Sequence, residues 1–385
     1  VKFLHLLLEL GNKSKTAQNI IQSNTDAVDN LFSCLGSDHP LVRKWAMKLI
    51  HCVSEDHPDG VPVPQFPRKE TAINTLASIL ACSPNFEERS LAAGIISQLS
   101  KDDIAIDEVL RKSETLKAIH EVICNSEEEF GVIGASTNQD KSLLENALAA
   151  LLRFTEPTKP QLWRQVGQLE LYPSLIRLLS TGSSLAKQRT AIALAHLSRS
   201  TSLSFAETSI RPKQENSMPL LSMKKLFPNM SWCCSGSADN EILCPLHGVA
   251  CSQGLTFCLV KADAVKPLLR TLSDTNSGVA EAALMALETL LEDHSTLSHS
   301  NASAAIVESE GVVAILQVLE KGSLSAKTKA LDLLQKILNH SQISDALFQR
   351  CEGILIQLLH EDALRKKVAL VLKNMNVLPE QSSYF

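Results

Sequence analysis

The sequence predicts an all-α protein built as a solenoid of stacked helix pairs. Hydrophobic residues make up 44% of the 385 residues while aromatic residues make up only 4%, which is typical of helix-rich proteins. Apolar residues recur at three-and-four spacing, and strand-like alternation is almost absent. A helix–turn–helix pattern then repeats along the chain. Because a solenoid grows by addition of units, the length does not force a division into globular domains.

Residues 262–291 hold the clearest copy of this unit. Val265, Leu268 and Leu272 share one face of a first helix, and Pro267 stands in its opening turn, where a missing N–H is tolerated. Residues 273–278 are rich in Ser, Asp, Asn and Gly, which favour turns. A second helix with regularly spaced Ala and Leu follows. Neither helix hides its apolar face alone, so the unit needs copies on either side.

Two strong copies occupy residues 172–197 and 311–338, and weaker ones residues 28–53, 72–99, 116–154 and 353–375. The strong copies share a Gly-Ser turn and an Ala-Lys pair at matching offsets, Ala186-Lys187 and Ala326-Lys327. Most copies are spaced by about 40–47 residues, a period typical of armadillo and HEAT units. The step from Leu179 to Leu272 is about two periods, so we expect one unit to be missing or heavily modified there.

The motif Ala-Val-Lys-Pro-Leu-Leu at 264–269, followed by A-x-x-A-L-x-x-L-L, resembles the armadillo repeat. More narrowly, residues 244–251 (CPLHGVAC) and 256–261 (TFCLVK) resemble the C-terminal armadillo region of plant U-box E3 ubiquitin ligases. The resemblance implies a right-handed armadillo/HEAT-like α-solenoid. It also implies a ligase whose U-box docks a ubiquitin-charged E2, yet no stretch of the chain resembles a U-box. We therefore expect a C-terminal fragment whose U-box precedes Val1.

The expected organisation has four parts. Residues 1–199 form an N-terminal stub and about four armadillo-type units; residues 200–258 form one long irregular excursion rich in Ser, Pro and Cys; residues 259–377 form about three units; and residues 378–385 form a polar tail. Within the first part, residues 55–67 are predicted to be a Pro-rich loop. Residues 125–139 are predicted to be an acidic loop that interrupts the unit 116–154.

Charge and cysteine content limit the partners and the compartment. The net charge of −5 and the lack of a long basic run argue against nucleic acid as the main partner. The sequence holds no run of eighteen apolar residues. Cys34, Cys52, Cys82 and Cys124 fall on apolar helical faces, where they are expected to be buried thiols. A reducing compartment follows, and we expect a cytoplasmic protein, with the nucleus and the plasma-membrane periphery as alternatives.

One cluster suggests a metal site. Cys244, His247 and Cys251 are candidate zinc ligands, because thiolate and imidazole groups within one loop are what structural zinc requires. Zinc modules usually hold a second ligand pair at a set distance, which is missing here. We therefore favour unliganded thiols in this cluster and expect no cofactor. Catalytic signatures such as G-x-S-x-G and the P-loop are also missing, so we expect no catalysis by this segment.

Residues 223–232, from Met223 to Trp232, mix two lysines with apolar and aromatic side chains. This composition is found in segments that lie on anionic membranes. The segment is short and is interrupted by Pro228. Packing of these side chains onto the solenoid is therefore favoured over contact with a membrane.

The resemblance also suggests a partner-binding groove. In armadillo relatives the second long helices line a concave face, on which a recurrent asparagine clamps an extended peptide. The aligned positions here are Cys52, Gln98, Arg153, His196, Thr289, Lys336 and Asn374. Only Asn374 keeps the asparagine, so the resemblance implies a groove with a different specificity. The alternative is that these are merely solvated polar positions.

Two functions remain open from the sequence. The first is a solenoid that recruits a protein substrate or regulatory partner to a U-box ligase, with the E2 bound only by the U-box. The second is a non-enzymatic armadillo scaffold.

Overall fold

A computed structural model describes residues 1–54, 68–130, 138–210, 257–292 and 296–378 of the protein. The described residues contain no β-strand and are almost entirely α-helical. Their helices are α1 Lys2–Lys13, α2 Lys15–Ser23, α3 Thr25–Cys34, α4 Pro40–Ser54, α5 Arg68–Cys82, α6 Phe86–Gln98, α7 Ile104–Lys112, α8 Thr115–Phe130, α9 Asn138–Thr155, α10 Pro160–Gln168, α11 Tyr172–Thr181, α12 Ser184–Ile210, α13 Val265–Thr271, α14 Ser277–Glu288, α15 Thr296–Glu308, α16 Gly311–Lys321, α17 Leu324–His340, α18 Asp345–Leu358 and α19 Arg365–Asn374.

Most helices combine into pairs, each with a first and a second helix that pack together. The pairs are α3/α4, α5/α6, α8/α9, α11/α12, α13/α14, α16/α17 and α18/α19. Helices α2, α7, α10 and α15 precede the first helix of a pair as connecting helices. Helix α1 has no first helix in the chain and packs directly on α4. The helix–turn–helix copies expected from the apolar periodicity are therefore helix pairs in the structure.

The second helices stack side by side, each packing on the next, in the order α1, α4, α6, α9, α12, α14, α17, α19. We call this row the second-helix ladder. It continues from α12 to α14, and α11 likewise packs against α13, although residues 211–256 separate these pairs in sequence. The buried apolar side chains form one continuous cluster from Leu8 to Met375. The stacked helix pairs therefore form one solenoid with one continuous apolar core, as the sequence repeats predict.

The Gly-Ser turn shared by the two strong copies has a structural role. Ser183 and Ser323 cap the second helices, with their hydroxyls accepting the amide N–H of Ala186 at 3.2 Å and of Ala326 at 3.1 Å. Such caps satisfy amide groups that the first turn of a helix leaves without partners. A Cβ at Gly322 would lie 2.6 Å from the carbonyl oxygen of Val318. A glycine is therefore required for the chain to pass this close to the preceding helix.

The structure corrects two expectations. The sequence predicts a loop from residue 125, but helix α8 continues to Phe130. The three glutamates after Ser126 are good helix formers, and the Ser126 hydroxyl donates to the carbonyl of Ile123 in the preceding turn at 2.6 Å. Of the four cysteines expected to be buried, Cys52 is buried, Cys34 and Cys124 are half-buried, and Cys82, the last residue of α5, is exposed. The predicted loop at 55–67 and the end of the tail at 379–385 lie outside the described residues.

Helix α12 extends to Ile210, so the first residues of the expected excursion 200–258 are helical. Residues 211–256 lie outside the described part of the chain. The proposed four-part division of the chain stays a prediction.

Candidate functional site: the second-helix ladder

The candidate groove positions reach back to the preceding second helix. Six of the seven aligned side chains hydrogen-bond a group on or just beyond that helix, and in all but the Thr289 contact the group lies near its C-terminal end. The pairs are Cys52 with Asn12, Arg153 with Leu99 and Ser100, His196 with Thr155, Thr289 with Ser198, Lys336 with Glu288, and Asn374 with Asn339. These positions connect neighbouring units, and we call the six contacts the rungs of the ladder.

The Arg153 rung is buried. The side chain of Arg153 is 3% exposed, and its guanidinium donates to the carbonyl oxygens of Leu99 and, at 2.9 Å, Ser100. Its Nη2 lies 3.5 Å from Oδ1 of Asp107, whose Oδ2 pairs with Lys159 Nζ at 2.8 Å. Burial lowers the pKa of Arg153, and the carboxylate of Asp107 opposes that shift. Arg153 therefore joins α9 to the end of α6 and to α7, and it does not offer its charge to a partner.

The neighbouring rungs are also largely withdrawn from solvent. Thr289 is 1% exposed, and its hydroxyl is hydrogen-bonded to Ser198 Oγ at 2.7 Å. The half-buried His196 places Nδ1 3.3 Å from Thr155 Oγ1. Burial lowers the pKa of His196, while nearby Glu156 acts in the opposite direction and Arg199 and Lys101 reinforce the lowering. Burial at this position therefore favours the neutral imidazole over the charged form.

The remaining candidate residues differ in their exposure. Lys336 and Asn374 are accessible and belong to the last two units. Gln98 is half-buried, and its buried Oε1 has no hydrogen-bond partner among the described residues. Cys52 is buried, and of the other six aligned residues Arg153 and Thr289 do not present their side chains on the ladder surface. The other four remain candidates for contact with a partner.

Ion pairs also join neighbouring second helices. Lys44 and Lys48 of α4 pair with Glu87 of α6 at 2.5 and 2.7 Å. Burial raises the pKa of Glu87, but the hydrogen bonds from the two lysines outweigh it, so the pKa lies below its usual value. Farther along the ladder the pairs are Lys329 with Glu281, Lys336 with Glu288, and Lys367 with Asp332. Because these lysines are matched by carboxylates, the paired stretches do not form a strongly charged groove.

The Ala-Lys pairs mark contacts between units that sequence reasoning did not find. Lys187 pairs with Asp274 at 3.1 Å, and Lys327 pairs with Glu361 at 2.7 Å. Both carboxylates lie two residues beyond the last apolar residue of the following first helix, Leu272 or Leu359. An acidic residue two positions after the last apolar residue of the first helix is the sequence signal that could have predicted these ion pairs. Glu145 and Glu281 also occupy equivalent positions, each on the second helix that precedes one of these units. They accept hydrogen bonds from Ser183 and Ser323, respectively.

Exposed apolar side chains recur at the other end of the second helices. They occupy the first or second residue of α4, α6, α12 and α17, and their exposed fractions are 48% for Leu41, 40% for Phe86, 38% for Leu185 and 52% for Leu324. Apart from α12, which continues beyond its rung residues His196 and Ser198 to Ile210, the rungs join the C-terminal ends of neighbouring second helices, so the helices run in the same direction. These four residues therefore lie along one edge of the ladder, and we call them the apolar edge.

Other candidates lie outside the described residues. Cys244, His247 and Cys251, the candidate zinc ligands, and the segment from Met223 to Trp232 fall within residues 211–256. In the part of the chain that the structure describes, three or more His, Cys, Asp or Glu side chains are nowhere grouped so as to hold a metal ion. Among these same residues no single helix is long and apolar enough to cross a membrane, although the bent pair Ser300–Glu308 and Gly311–Lys321 meets the criterion of length and composition.

Comparison with curated proteins finds plant relatives. The chain is 26% identical to putative U-box domain-containing protein 42 of Arabidopsis thaliana over 408 aligned residues, which cover 100% of this chain and 37% of the relative. It is 25% identical to U-box domain-containing protein 43 of the same plant, over 89% of this chain and 41% of that protein. The chain thus spans about two fifths of the length of these relatives. No family model matches it.

Comparison with solved structures finds the same architecture. A computationally designed armadillo repeat protein for modular peptide recognition superposes with a TM-score of 0.51, covering 80% of this chain and 99% of that one at 12% identity. At that identity the likeness concerns the fold alone. The continuous ladder, its helix pairs and these comparisons agree: the chain is an armadillo-type α-solenoid, similar over its full length to one plant U-box domain-containing protein and over 89% of its length to another.

Proposed function

We propose that this solenoid is the partner-recruiting arm of a plant-type U-box E3 ubiquitin ligase. Homology to U-box domain-containing proteins supports the pathway. The armadillo-type fold supports a protein-interaction surface, and the structural neighbour carries the description of modular peptide recognition. The partner is then a protein substrate or regulator, and the E2 is bound by a U-box outside these residues.

The apolar edge is the observation that carries this proposal. Isolated exposed apolar residues are common on protein surfaces, but a row repeated at one helix end in four units is a structural feature. A partner segment that follows the ladder meets Leu41 and Phe86 on adjacent second helices, then Leu185 beyond α9 and Leu324 beyond α14. The paired lysines and carboxylates nearby supply a polar rim, and protein interfaces combine such a rim with an apolar centre.

The mechanism requires no chemistry from the ladder. A partner held on the solenoid is kept near the ubiquitin-charged E2, so the encounter between a target lysine and the thioester becomes effectively intramolecular. The role of the described residues is to bind and to orient. A reducing compartment suits this role, and we propose that the protein acts in the cytoplasm.

The experiment compares two sets of variants in the intact ligase. The first set carries Phe86→Ser and Leu185→Ser on the apolar edge, and the matched control carries Ile104→Ser, at a residue that is 81% exposed on connecting helix α7. Partners captured by cross-linking are identified and then supplied to purified ligase with E1, E2 and ubiquitin. We expect the apolar-edge variant to lose at least about tenfold in partner affinity, equal to about 1.4 kcal/mol, and to lose ubiquitination of that partner.

The possible outcomes separate the two functions. A partner that binds the apolar edge but is not ubiquitinated by the intact protein identifies a scaffold and overturns the ligase proposal. If the apolar-edge variant and the control retain equal affinity, the partner binds elsewhere and the surface proposed here is wrong.

A further inference from the structure

A cleft lies between two neighbouring first helices, α13 and α16. The two helices pack side by side and leave a volume of about 440 Å³ between them. The apolar part of the lining comes from Leu269 of α13, which is buried, and from Val313 and Ala314 of α16, which are half-buried. Ligand-binding cavities in proteins have volumes of about 300–1,000 Å³. This space, which we call the α13/α16 cleft, is therefore large enough to accept side chains of another molecule.

Charged side chains of both signs line the same cleft. Lys266 and Arg270 stand one turn apart on α13, whereas Glu308 ends α15 and Glu310 immediately precedes α16. All four residues are exposed. No residue that the structure describes forms a hydrogen bond or an ion pair with any of these four side chains. Their charges are therefore available for contacts with a ligand.

The next junction in the row of first helices differs in this respect. Helices α16 and α18 also pack side by side, and there Arg350 of α18 lies 3.3 Å from Glu320 of α16. The opposite charges at that junction neutralise each other and belong to the contact between units. The charges that line the α13/α16 cleft contribute no such pair.

The charges give the two ends of the cleft opposite signs. Leu272 and Leu319 are equivalent residues of the two first helices, and in this register Arg270 is level with Gln317, which also lines the cleft. Glu310 lies two helical turns nearer the start of α16, which is about 10 Å along the axis. The cleft is therefore acidic at the start of α16 and basic toward the end of α13, with apolar side chains between.

We propose that the α13/α16 cleft binds a short extended segment of a partner protein that carries an apolar side chain between a basic and an acidic one. The apolar side chain enters beside Leu269 and Val313, the acidic residue pairs with the two cations of α13, and the basic residue pairs with the two glutamates. Charge complementarity selects this occupant, because a segment with two like charges would place one of them beside charges of its own sign. The inference depends neither on the apolar edge nor on ligase activity.

The test uses the 385-residue chain and peptides with blocked ends whose core is Lys-x-Leu-x-Glu or its reverse, where x is an uncharged residue. In an extended peptide these three side chains share one face, and the two charged residues are about 13 Å apart, close to the separation of the two ends of the cleft. Control libraries carry Glu, or Lys, at both charged positions. Each library is selected on the immobilised protein, and the affinity of the selected peptides is measured by fluorescence anisotropy.

We expect mixed-charge peptides to bind the unchanged chain at least about tenfold more tightly than peptides with two like charges. Reversal of charge in the cleft should change this preference. Lys266→Glu combined with Arg270→Glu makes both ends acidic, so this variant should select peptides with two lysines. Glu308→Lys combined with Glu310→Lys makes both ends basic, so this variant should select peptides with two glutamates.

A matched control separates the cleft from the net charge. Lys112→Glu combined with Lys117→Glu changes the net charge equally, at side chains that are 63% and 66% exposed on α7 and α8, and it should keep the original preference. If a reversed variant fails to fold, Ala314→Phe narrows the cleft without a change of charge and should lower the affinity for mixed-charge peptides at least about tenfold.

Three results would overturn the proposal. The first is that no mixed-charge peptide is selected by the unchanged chain. The second is that the reversed variants, or Ala314→Phe where it replaces them, bind the mixed-charge peptides as the unchanged chain does. The third is an equal change of preference in the matched control, because the attraction then arises from net charge and not from the cleft.

Discussion

The middle and the end of the ladder hold their units together in different ways. In the middle of the ladder, Arg153 and Thr289 are buried, and they form hydrogen bonds with groups that are also shielded from water. Toward the end, Lys336 and Lys367 make ion pairs whose members stay partly solvated. The same aligned position, occupied in one unit by Arg153 and in another by Lys336, thus serves both arrangements. From this difference we expect the stabilising value of a rung to depend on its burial more than on its charge.

The largest expected effect comes from breaking the most deeply buried rung. Arg153→Met leaves the carbonyl oxygens of Leu99 and Ser100 without their donor and removes one partner of Asp107. Removal of one member of a buried ion pair costs about 3–5 kcal/mol, and we expect a loss of free energy of unfolding in that range, measured by urea denaturation. Arg111→Met is the matched control, because its pair with Glu108 lies on the surface. A loss below about 1 kcal/mol for Arg153→Met would contradict the comparison.

A smaller effect is expected at the next buried rung. Thr289→Val keeps the shape of the side chain but removes the hydroxyl hydrogen-bonded to Ser198, and loss of one such hydrogen bond costs about 0.5–1.5 kcal/mol. Thermal unfolding of the variant checks this range. Thr328→Val is the control, since Thr328 is exposed and its hydroxyl bonds only within its own helix. If the two threonine variants lose the same stability, burial is not the deciding factor.

The His196 rung predicts a dependence on pH. Burial lowers the folded-state pKa of His196 below the ordinary histidine value of about 6.5. As the pH falls below about 6.5 the unfolded state binds the proton more readily, so this group lowers the stability of the fold there. His196→Gln should flatten this part of the stability curve, measured by urea unfolding between pH 5 and 7. His39→Gln, at an exposed position, should leave the curve unchanged, and an unaltered curve for His196→Gln would contradict the burial argument.

The smallest effect is expected where the rung is solvated. Lys336→Ala removes the 2.7 Å pair with Glu288, whose side chains are 36% and 28% exposed. Surface ion pairs contribute about 0.2–1 kcal/mol. A double-mutant cycle with Glu288→Ala should therefore give a coupling energy no greater than this and decreasing with added salt. A salt-independent coupling near that of a buried pair would remove the distinction between the two parts of the ladder.

The repeating unit follows from local signals in the sequence. The spacing of Val265, Leu268 and Leu272, the glycines at 182 and 322, and the capping serines at 183 and 323 specify helices and turns through local physics: amphipathic periodicity, close backbone approach and amide capping. The structure confirms the all-α solenoid that these signals predict, and homology confirms the resemblance to plant U-box proteins. The sequence also gave the alignment that brings Arg153, His196 and Lys336 to equivalent positions.

Only the tertiary structure decided how those equivalent positions are used. The alignment suggests exposed groove residues, but Arg153 is drawn inward by carbonyl groups at the end of α6 and by Asp107 of α7, which lie 46 residues or more away in sequence. The packing of α12 on α14 across residues 211–256 is likewise a contact between distant segments. Local propensity carries no information about such partners, because burial and charge pairing depend on which helices the completed stack places side by side.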